Sequence, residues 1–266
     1  HHVAIVSSSS VFTVFYDGVC QSIQSGSFTD PYNYPSSDGL RVGSGNLGAF
    51  KGYLSNIRLV SGTAIYSSDF DPPTAPFTNN GSYTEKALLC QSNRFIDNGD
   101  SSYAITTSGS PQVTPFSPFK NKDARTLTTD GGSGYFDDSS NSYLQIADSS
   151  VFDATTSLCV EAWFYMTSAP GDGPNAHAVV SKWVSTTPGQ RTIFIDIEST
   201  GLRVFADLQG ASNPVLITTD GGERRPTPRC ASTLRRTGTS RRSLPPARCP
   251  SRAWSTPQSS ATWRWS

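Results

Sequence analysis

The sequence is poor in the residues that build helices, metal centres and redox sites. It contains one Met and three His, and its five Cys are widely spaced without a Cys-x-x-Cys pair. An odd number of Cys at such spacing argues against a zinc or redox motif, and we interpret them as mostly buried thiols. No apolar run approaches the roughly 20 residues that span a bilayer, and no Ala-, Leu-, Glu- and Lys-rich stretch predicts long helices.

The start of the chain also lacks a targeting segment. It begins His1-His2-Val3-Ala4, without an initiator Met, a basic segment or an apolar signal sequence. A secretory signal would carry both of the latter features. We therefore expect a fragment excised from a longer protein, with no signal peptide in this fragment.

The balanced overall charge conceals an acidic body and a basic tail. Lys and Arg number 21, as do Asp and Glu, but ten Arg and no acid fall in residues 224–266. Residues 1–223 therefore carry 11 basic and 21 acidic side chains. Nucleic-acid modules need Lys and Arg to neutralise phosphates, so the body is predicted to have no nucleic-acid partner.

The residues that are abundant favour strands. Fourteen Phe and ten Tyr accompany many Ser, Thr and Gly, and short alternating segments are separated by turn signals. Asp17-Gly18, between two apolar stretches, predicts a tight hairpin because both residues tolerate positive φ. A second hairpin is predicted where 192–197 turns at 198–201 into 202–205. Many short strands with such turns predict an antiparallel sandwich or barrel.

One apolar run is long enough for its faces to be assigned. Between Phe50 and Val60 the alternation predicts one face made of every second residue and an opposite face made of the others. The first face holds Tyr53, Ser55, Ile57 and Leu59, and the second holds Leu54, Asn56, Arg58 and Val60. The Pro-rich stretch 71–77 is predicted to end this unit, because Pro cannot continue a ladder.

Several motifs resemble the two halves of a concanavalin A-like, laminin-G-type domain. Tyr143-Leu144-Gln145-Ile146 and the Glu161-x-Trp163 strand are similar to its first half. His1-His2-Val3-Ala4, Tyr16-Asp17-Gly18 and 52–58 are similar to its second half, with Ser55 and Asn56 where the family often has acids. The stretches 60–77 and 89–97 resemble tandem laminin-G-like repeats of phage structural proteins.

The resemblance implies an all-β, antiparallel jelly-roll β-sandwich that is incomplete in each repeat. Residues 1–77 would be the C-terminal half of one laminin-G-like domain, 78–84 a linker, and 85–222 the N-terminal part of a second domain. An isolated half would leave an apolar face and a sheet edge unpaired. A permuted pairing of the halves would repair this and would place the Trp163 strand beside the Ile57 strand.

The tail, residues 223–266, is predicted to be disordered or frameshifted. From Arg224 onward there is no Val, Ile, Phe or Tyr. One interpretation is a basic arm for anionic partners. The other is a shifted reading frame, in which the codons of Thr237-Gly238-Thr239-Ser240 could encode the Trp-His strand that the second repeat lacks.

The resemblance implies a non-catalytic carbohydrate-binding or adhesion module, a lectin-like part of a phage-like or environmental surface protein. The expected location is a virion, extracellular space or a cell surface, and no membrane insertion is expected. Its partners would be a glycan or host-surface receptor and neighbouring laminin-G-like repeats. Aromatic faces stack on sugars, so the loop residues Tyr32, Asn33 and Tyr34 are candidate ligand-binding residues.

Calcium is the candidate cofactor, and two further functions stay open. Relatives in this fold often carry calcium, and the turn acids Asp137, Asp138 and Asp148 could supply oxygen ligands.

One alternative function is a purely structural virion fibre or decoration module without a specific ligand. The other is a laminarinase-like glycoside hydrolase, for which Asp196 and Glu198 occupy two of three expected positions and Phe194 replaces the nucleophile. Because the motif is incomplete, we expect no enzyme, and Glu161 is interpreted as a strand position rather than a general acid.

Overall fold

Strands make up nearly all of the regular structure in the described part of the chain. A computed structural model describes residues 1–8, 11–21, 39–45, 48–79, 81–92, 94–119, 131–138, 142–152, 157–171, 175–183, 191–199 and 201–205. The strands in these ranges are β1 (His2–Ser8), β2 (Val11–Tyr16), β3 (Val19–Cys20), β4 (Leu40–Val42), β5 (Ser44–Gly45), β6 (Gly48–Ala49), β7 (Lys51–Ser61), β8 (Glu85–Leu89), β9 (Ile105–Ser108), β10 (Gln112–Thr114), β11 (Ser133–Asp137), β12 (Tyr143–Ile146), β13 (Ser157–Met166), β14 (His177–Trp183), β15 (Arg191–Glu198) and β16 (Gly201–Phe205). One 3₁₀ turn, Ser150–Phe152, precedes β13.

The strands form two main antiparallel sheets and a small hairpin. The first sheet has the order β10-β11-β7-β13-β1-β2-β3, and β8 pairs with the second half of β7. The second sheet has the order β16-β15-β14-β4-β12-β9, and β5 pairs with β6. This arrangement confirms the predicted all-β antiparallel sandwich.

Both sheets combine strands from the two segments that were expected to come from successive repeats. Strand β13 lies between β7 and β1, with Trp163 opposite Ser55 and His2. In the second sheet β4 lies between β12 and β14. The strand pairing required by a permuted sandwich is therefore present. The domain boundaries themselves remain a prediction.

The main core fills the space between the sheets. Its buried side chains come from alternate positions, for example Val160 and Phe164 of β13 and Leu144 and Ile146 of β12. Burial of apolar area at about 25 cal/mol per Å² is the main force that holds the sheets together. A second apolar cluster lies on the outer face of the first sheet, where Phe15 and Cys159 pack against residues of the 64–70 segment.

A β-bulge in β7 corrects the predicted faces of this strand. Glu161 pairs with Arg58 but Trp163 pairs with Ser55, so two residues of β7 oppose Ala162 alone. Asn56 has a φ of +49°, a conformation that Asn tolerates better than most residues. The extra residue reverses the alternation, which is the usual consequence of a bulge.

The reversal gives β7 two different faces along its length. Before the bulge, Tyr53 and Ser55 lie on the outer face and Leu54 lies in the core. After it, Ile57 and Leu59 lie in the core, while Arg58 points outward beside Glu161. The prediction that Tyr53, Ser55, Ile57 and Leu59 share one face was therefore wrong.

The predicted hairpins are confirmed. Asp17 and Gly18 connect β2 to β3 with φ values of +48° and +78°. Gly18 is required here, because a Cβ would collide with the backbone oxygen of Phe70. The second hairpin pairs Glu198 with Gly201. The Pro-rich stretch 71–77 forms no strand, as expected.

The cysteines follow the expectation in part. Cys90 and Cys159 are free and buried, and burial raises the pKa of both thiols, to about 12 for Cys90. Such thiols are poor nucleophiles. Cys20, by contrast, is disulfide-bonded, which departs from the predicted buried thiol.

Residues 206–266, including the tail, lie outside the described residues. No helix in the described part of the chain is long and apolar enough to cross a membrane.

Candidate functional site: an aromatic outer face

The residues selected from loop composition lie outside the described part of the chain. Tyr32, Asn33 and Tyr34 fall within 22–38, which the structure does not describe. Their role as ligand-binding residues remains a prediction. The candidate site must therefore be sought among the described strands and loops.

The three candidate calcium ligands lie at or just after the ends of strands that belong to two different sheets. Asp137 ends β11 of the first sheet, and the carboxylate of the next residue, Asp138, lies 3.9 Å from the Lys51 ammonium. Asp148 follows β12 of the second sheet and accepts a 3.1 Å hydrogen bond from Lys182. Within the described ranges, no group of three or more His, Cys, Asp or Glu side chains could hold a metal ion. Calcium binding through these residues stays a prediction.

Asp196 lies on a covered face of the second sheet. It is completely buried on β15, two residues after Phe194, and Glu198 is partly exposed at the strand end. A Cβ on Gly45 would collide with the Phe194 ring, so the β5–β6 hairpin packs over this face. Glycosidase carboxylates must both reach the scissile bond. The described geometry of Asp196 gives a substrate no direct access.

Glu161 belongs to a buried polar network on the outer face of the first sheet. Its carboxylate accepts a 2.7 Å hydrogen bond from Arg58 Nε and a 2.9 Å bond from the Tyr66 hydroxyl. His2 Nε2 lies 3.2 Å from the same carboxylate, and Arg58 Nη1 is 3.3 Å from Glu85. Residues on four neighbouring strands and on the 62–77 segment are thus joined by one set of contacts.

The network holds its charges away from water. Burial alone would lower the pKa of Arg58, but the Glu161 carboxylate outweighs this effect and raises it. Burial raises the pKa of Glu85, and Arg58 opposes that shift. Burial and then Glu161 raise the pKa of the Tyr66 phenol. Arg58 and Tyr66 bind the Glu161 carboxylate, which therefore links β13 to β7 and to the 62–77 segment.

Further along the same outer face, three tyrosines form a row across three strands. Tyr53 of β7 is directly opposite Tyr135 of β11 on one side and Tyr165 of β13 on the other. The ring centroids are 5.1 Å apart for Tyr53 and Tyr135 and 6.2 Å apart for Tyr53 and Tyr165. Directly opposed residues in antiparallel strands have their side chains on the same face. We call these residues the tyrosine row.

A loop residue extends the tyrosine row toward solvent. The Phe116 ring, which follows β10, lies 4.4 Å from Tyr53 and 5.3 Å from Tyr165. Phe116 is 40% exposed and Tyr165 is 48% exposed. Two large aromatic side chains that contact each other and are both exposed to this extent are typical of an interaction site rather than of a closed core.

A pocket of about 180 Å³ opens beside the tyrosine row. The strand residues that line it are Tyr53, Ser55, Ser133, Trp163 and Tyr165 of the outer face, together with Phe164, whose side chain belongs to the main core. The remaining lining residues are His1, Phe116 and Pro118. The pocket is therefore bounded mainly by aromatic surface, as are many small-molecule sites.

Two polar groups in the pocket walls have no hydrogen-bond partner among the described residues. They are the indole N–H of Trp163 and the hydroxyl of Ser133, and Ser133 is only 1% exposed. The Ser55 hydroxyl, in contrast, donates to the Gly132 carbonyl and accepts from Asn56. Buried polar groups are usually paired, so the first two are the exception that needs an explanation.

The border of the pocket carries a histidine side chain. His1 Nδ1 lies 2.7 Å from Asp17 Oδ2, and this hydrogen bond raises the pKa of His1 despite partial burial. Burial would raise the pKa of Asp17, but its contacts with His1 and with the His2 backbone N–H lower it. The positive charge of a protonated His1 is therefore matched by Asp17.

Comparison with known proteins adds no name to this site. No protein-family model matches the chain, and neither the curated proteins nor the solved structures give a match. Function is therefore inferred from the geometry of the outer face.

Proposed function

We propose that the chain is a non-catalytic carbohydrate-binding and adhesion module that binds glycans through the tyrosine row and its pocket. We further propose that its sandwich is a laminin-G-type, concanavalin A-like jelly roll of a phage-like or environmental surface protein, displayed on a virion or a cell surface. The resemblance is supported by where its motif residues lie. His2, Glu161 and Arg58 are far apart in sequence but meet in one cross-strand network.

The observation that carries the proposal is the exposed aromatic cluster beside a pocket with unpaired polar groups. Aromatic rings offer an apolar face to the C–H groups of a sugar, and polar groups at the border orient its hydroxyls. Tyr165 and Phe116 provide the exposed rings. The described part of the chain carries no comparable group of contacting aromatic rings on the second sheet's outer face.

A glycan array followed by titration calorimetry on the best soluble glycan tests this function. We expect Tyr165→Ala to weaken binding by about tenfold, equivalent to roughly 1.4 kcal/mol. The fold should be preserved because Tyr165 is 48% exposed. Tyr143→Ala is the matched control, since Tyr143 is a partly exposed tyrosine of the second sheet beneath Arg41.

The control and a second variant decide which surface binds. Equal losses in Tyr165→Ala and Tyr143→Ala would argue against a specific outer-face site. Loss only in a Tyr32→Ala, Tyr34→Ala double variant would move the site to the predicted loop of residues 28–39. No binding to any glycan would leave the structural alternative.

The second candidate function is a structural fibre or decoration module. The specific observation in its favour is the exposure of Ile96, Val113, Phe116 and Tyr165, between 37% and 48%. Such side chains can be covered by a neighbouring repeat. Concentration-dependent association in sedimentation experiments, abolished by Phe116→Ser, together with no glycan binding, would favour this function.

A further inference from the structure

The shape of the pocket limits what it can hold. Its volume of about 180 Å³ is below the roughly 300–1,000 Å³ of sites for drug-sized ligands. The rings around it are also not coplanar: Tyr165 is tilted by 52° to Tyr53 and by 55° to Phe116, and Tyr53 by 35° to Phe116. A flat crystalline polysaccharide would need rings in one plane. This surface is a small cup suited to one ring.

The charge of the pocket limits the ligand further. Among the described residues that line it, none is Lys, Arg, Asp or Glu. The imidazole of its lining histidine, His1, is already bonded to Asp17. Sulfate and carboxylate groups of anionic glycans are recognised by unpaired cationic side chains, and the described lining provides none. The acidic body, with 11 basic and 21 acidic side chains in residues 1–223, also disfavours polyanions.

The unpaired polar groups match hydroxyl chemistry. The Trp163 indole can only donate a hydrogen bond, and the Ser133 hydroxyl can donate or accept. A sugar hydroxyl can accept from the first and exchange either role with the second. An unmade buried hydrogen bond costs about 1–3 kcal/mol, so a ligand that supplies these bonds is favoured over one that does not.

We propose that this pocket holds a single neutral pyranose ring at the end of a glycan, with the aromatic walls on the ring and Trp163 and Ser133 on its hydroxyls. This inference rests on the proposed carbohydrate-binding function and specifies its ligand. Binding energy then comes from one sugar unit. Additional units project into solvent from the open side of the cup.

Titration calorimetry with a graded set of probes tests the inference. The soluble probes are methyl hexopyranosides, their neutral oligomers of two to four units and heparin, and retention on microcrystalline cellulose and chitin is measured separately. We expect saturable binding of at least one methyl hexopyranoside. We also expect an affinity that changes less than about threefold with oligomer length, because one unit makes the contacts. Heparin should give no binding heat, and neither crystalline polymer should retain the protein.

Two conservative variants examine the polar contacts. Ser133→Ala and Trp163→Phe each remove one polar hydrogen and keep most of the apolar wall. Each should weaken the best methyl glycoside by about 5–30-fold, which is the range for a lost hydrogen bond to a buried group. The thermal midpoint should stay near that of the parent chain, since neither polar hydrogen has a partner to lose. Unchanged affinity in both variants would overturn the assignment of these contacts.

The remaining outcomes separate this inference from the function on which it rests. An affinity that rises more than about tenfold from one unit to four, or preference for heparin or a crystalline polymer, would overturn the single-ring pocket while glycan binding stands. No binding of any probe or array glycan would overturn both.

Discussion

Replacement of Arg58 by Met is expected to destabilise the folded chain by about 3–5 kcal/mol, the usual range for breaking a buried ion pair. Arg58 is 8% exposed, and its guanidinium lies between the carboxylates of Glu161 and Glu85 and 4.2 Å from the Phe77 ring. Without it, two carboxylates on β13 and β8, the strands on either side of this part of β7, would lose their shared cation. The measurement is the free energy of unfolding in urea at pH 7.5.

Three comparisons make this result specific. Lys51→Met removes an exposed ion pair with Asp138 and should cost less than about 1 kcal/mol. Arg58→Met combined with Glu161→Gln should cost about 1–3 kcal/mol less than the sum of the single changes, because the two residues interact directly. If Arg58→Met were no more harmful than Lys51→Met, the network would contribute little to the fold.

The Arg58→Met deficit should also shrink as the pH falls. Burial already raises the pKa of Glu85, and Arg58 opposes this shift, so its removal raises the pKa further. A carboxyl whose pKa is higher in the folded than in the unfolded chain binds protons preferentially in the folded chain. Stability is therefore gained as the pH falls from the folded pKa toward the ordinary value. Urea unfolding at pH 5.0 and pH 7.5 measures the difference.

Replacement of Phe136 by Ala is expected to cost about 3–5 kcal/mol. Phe136 of β11 is completely buried in the main core, and its ring packs so closely on Gly43 that a Cβ there would collide with it. Gly43 belongs to the first segment of the chain and Phe136 to the second. The loss in unfolding free energy therefore measures how much the core shared by the two segments contributes to stability.

Phe116→Ala is the matched control for Phe136→Ala. Phe116 is also a phenylalanine of the second segment, but it is 40% exposed and contacts the tyrosine row. Its removal should cost about 1 kcal/mol in stability and should weaken glycan binding instead. Similar stability losses in the two variants would contradict a core that extends between the sheets through Phe136.

Local signals in the sequence were sufficient for the turns. Asp17-Gly18 predicted its hairpin because both positions need a positive φ that few other residues tolerate, and the structure has that geometry. The β7 faces were predicted wrongly because simple alternation assumes no bulge. The backbone N–H of Asn56 donates to the Cys90 carbonyl, and its side-chain oxygen accepts from the Phe77 N–H. Both partners come from other parts of the chain.

The candidate site could be predicted only in part. Alternation along β13 places Glu161, Trp163 and Tyr165 on one face, and this was readable from the sequence. The partners of Tyr165 were not, because they depend on which strands are neighbours. Tyr53 and Tyr135 are more than 80 positions apart in the chain and meet only because β7 pairs with β11. Loop composition led instead to Tyr32 and Tyr34.

Amide and indole chemical shifts under titration with a neutral methyl hexopyranoside test the central claim most directly. The Trp163 indole N–H gives a signal of its own, and the backbone amides of Tyr53, Ser133 and Tyr165 report the pocket walls. We expect saturable shifts that are concentrated on these four signals, with little change at Tyr143 of the second sheet. Shifts that avoid them, or that cluster on the second sheet, would contradict a glycan site on the aromatic outer face.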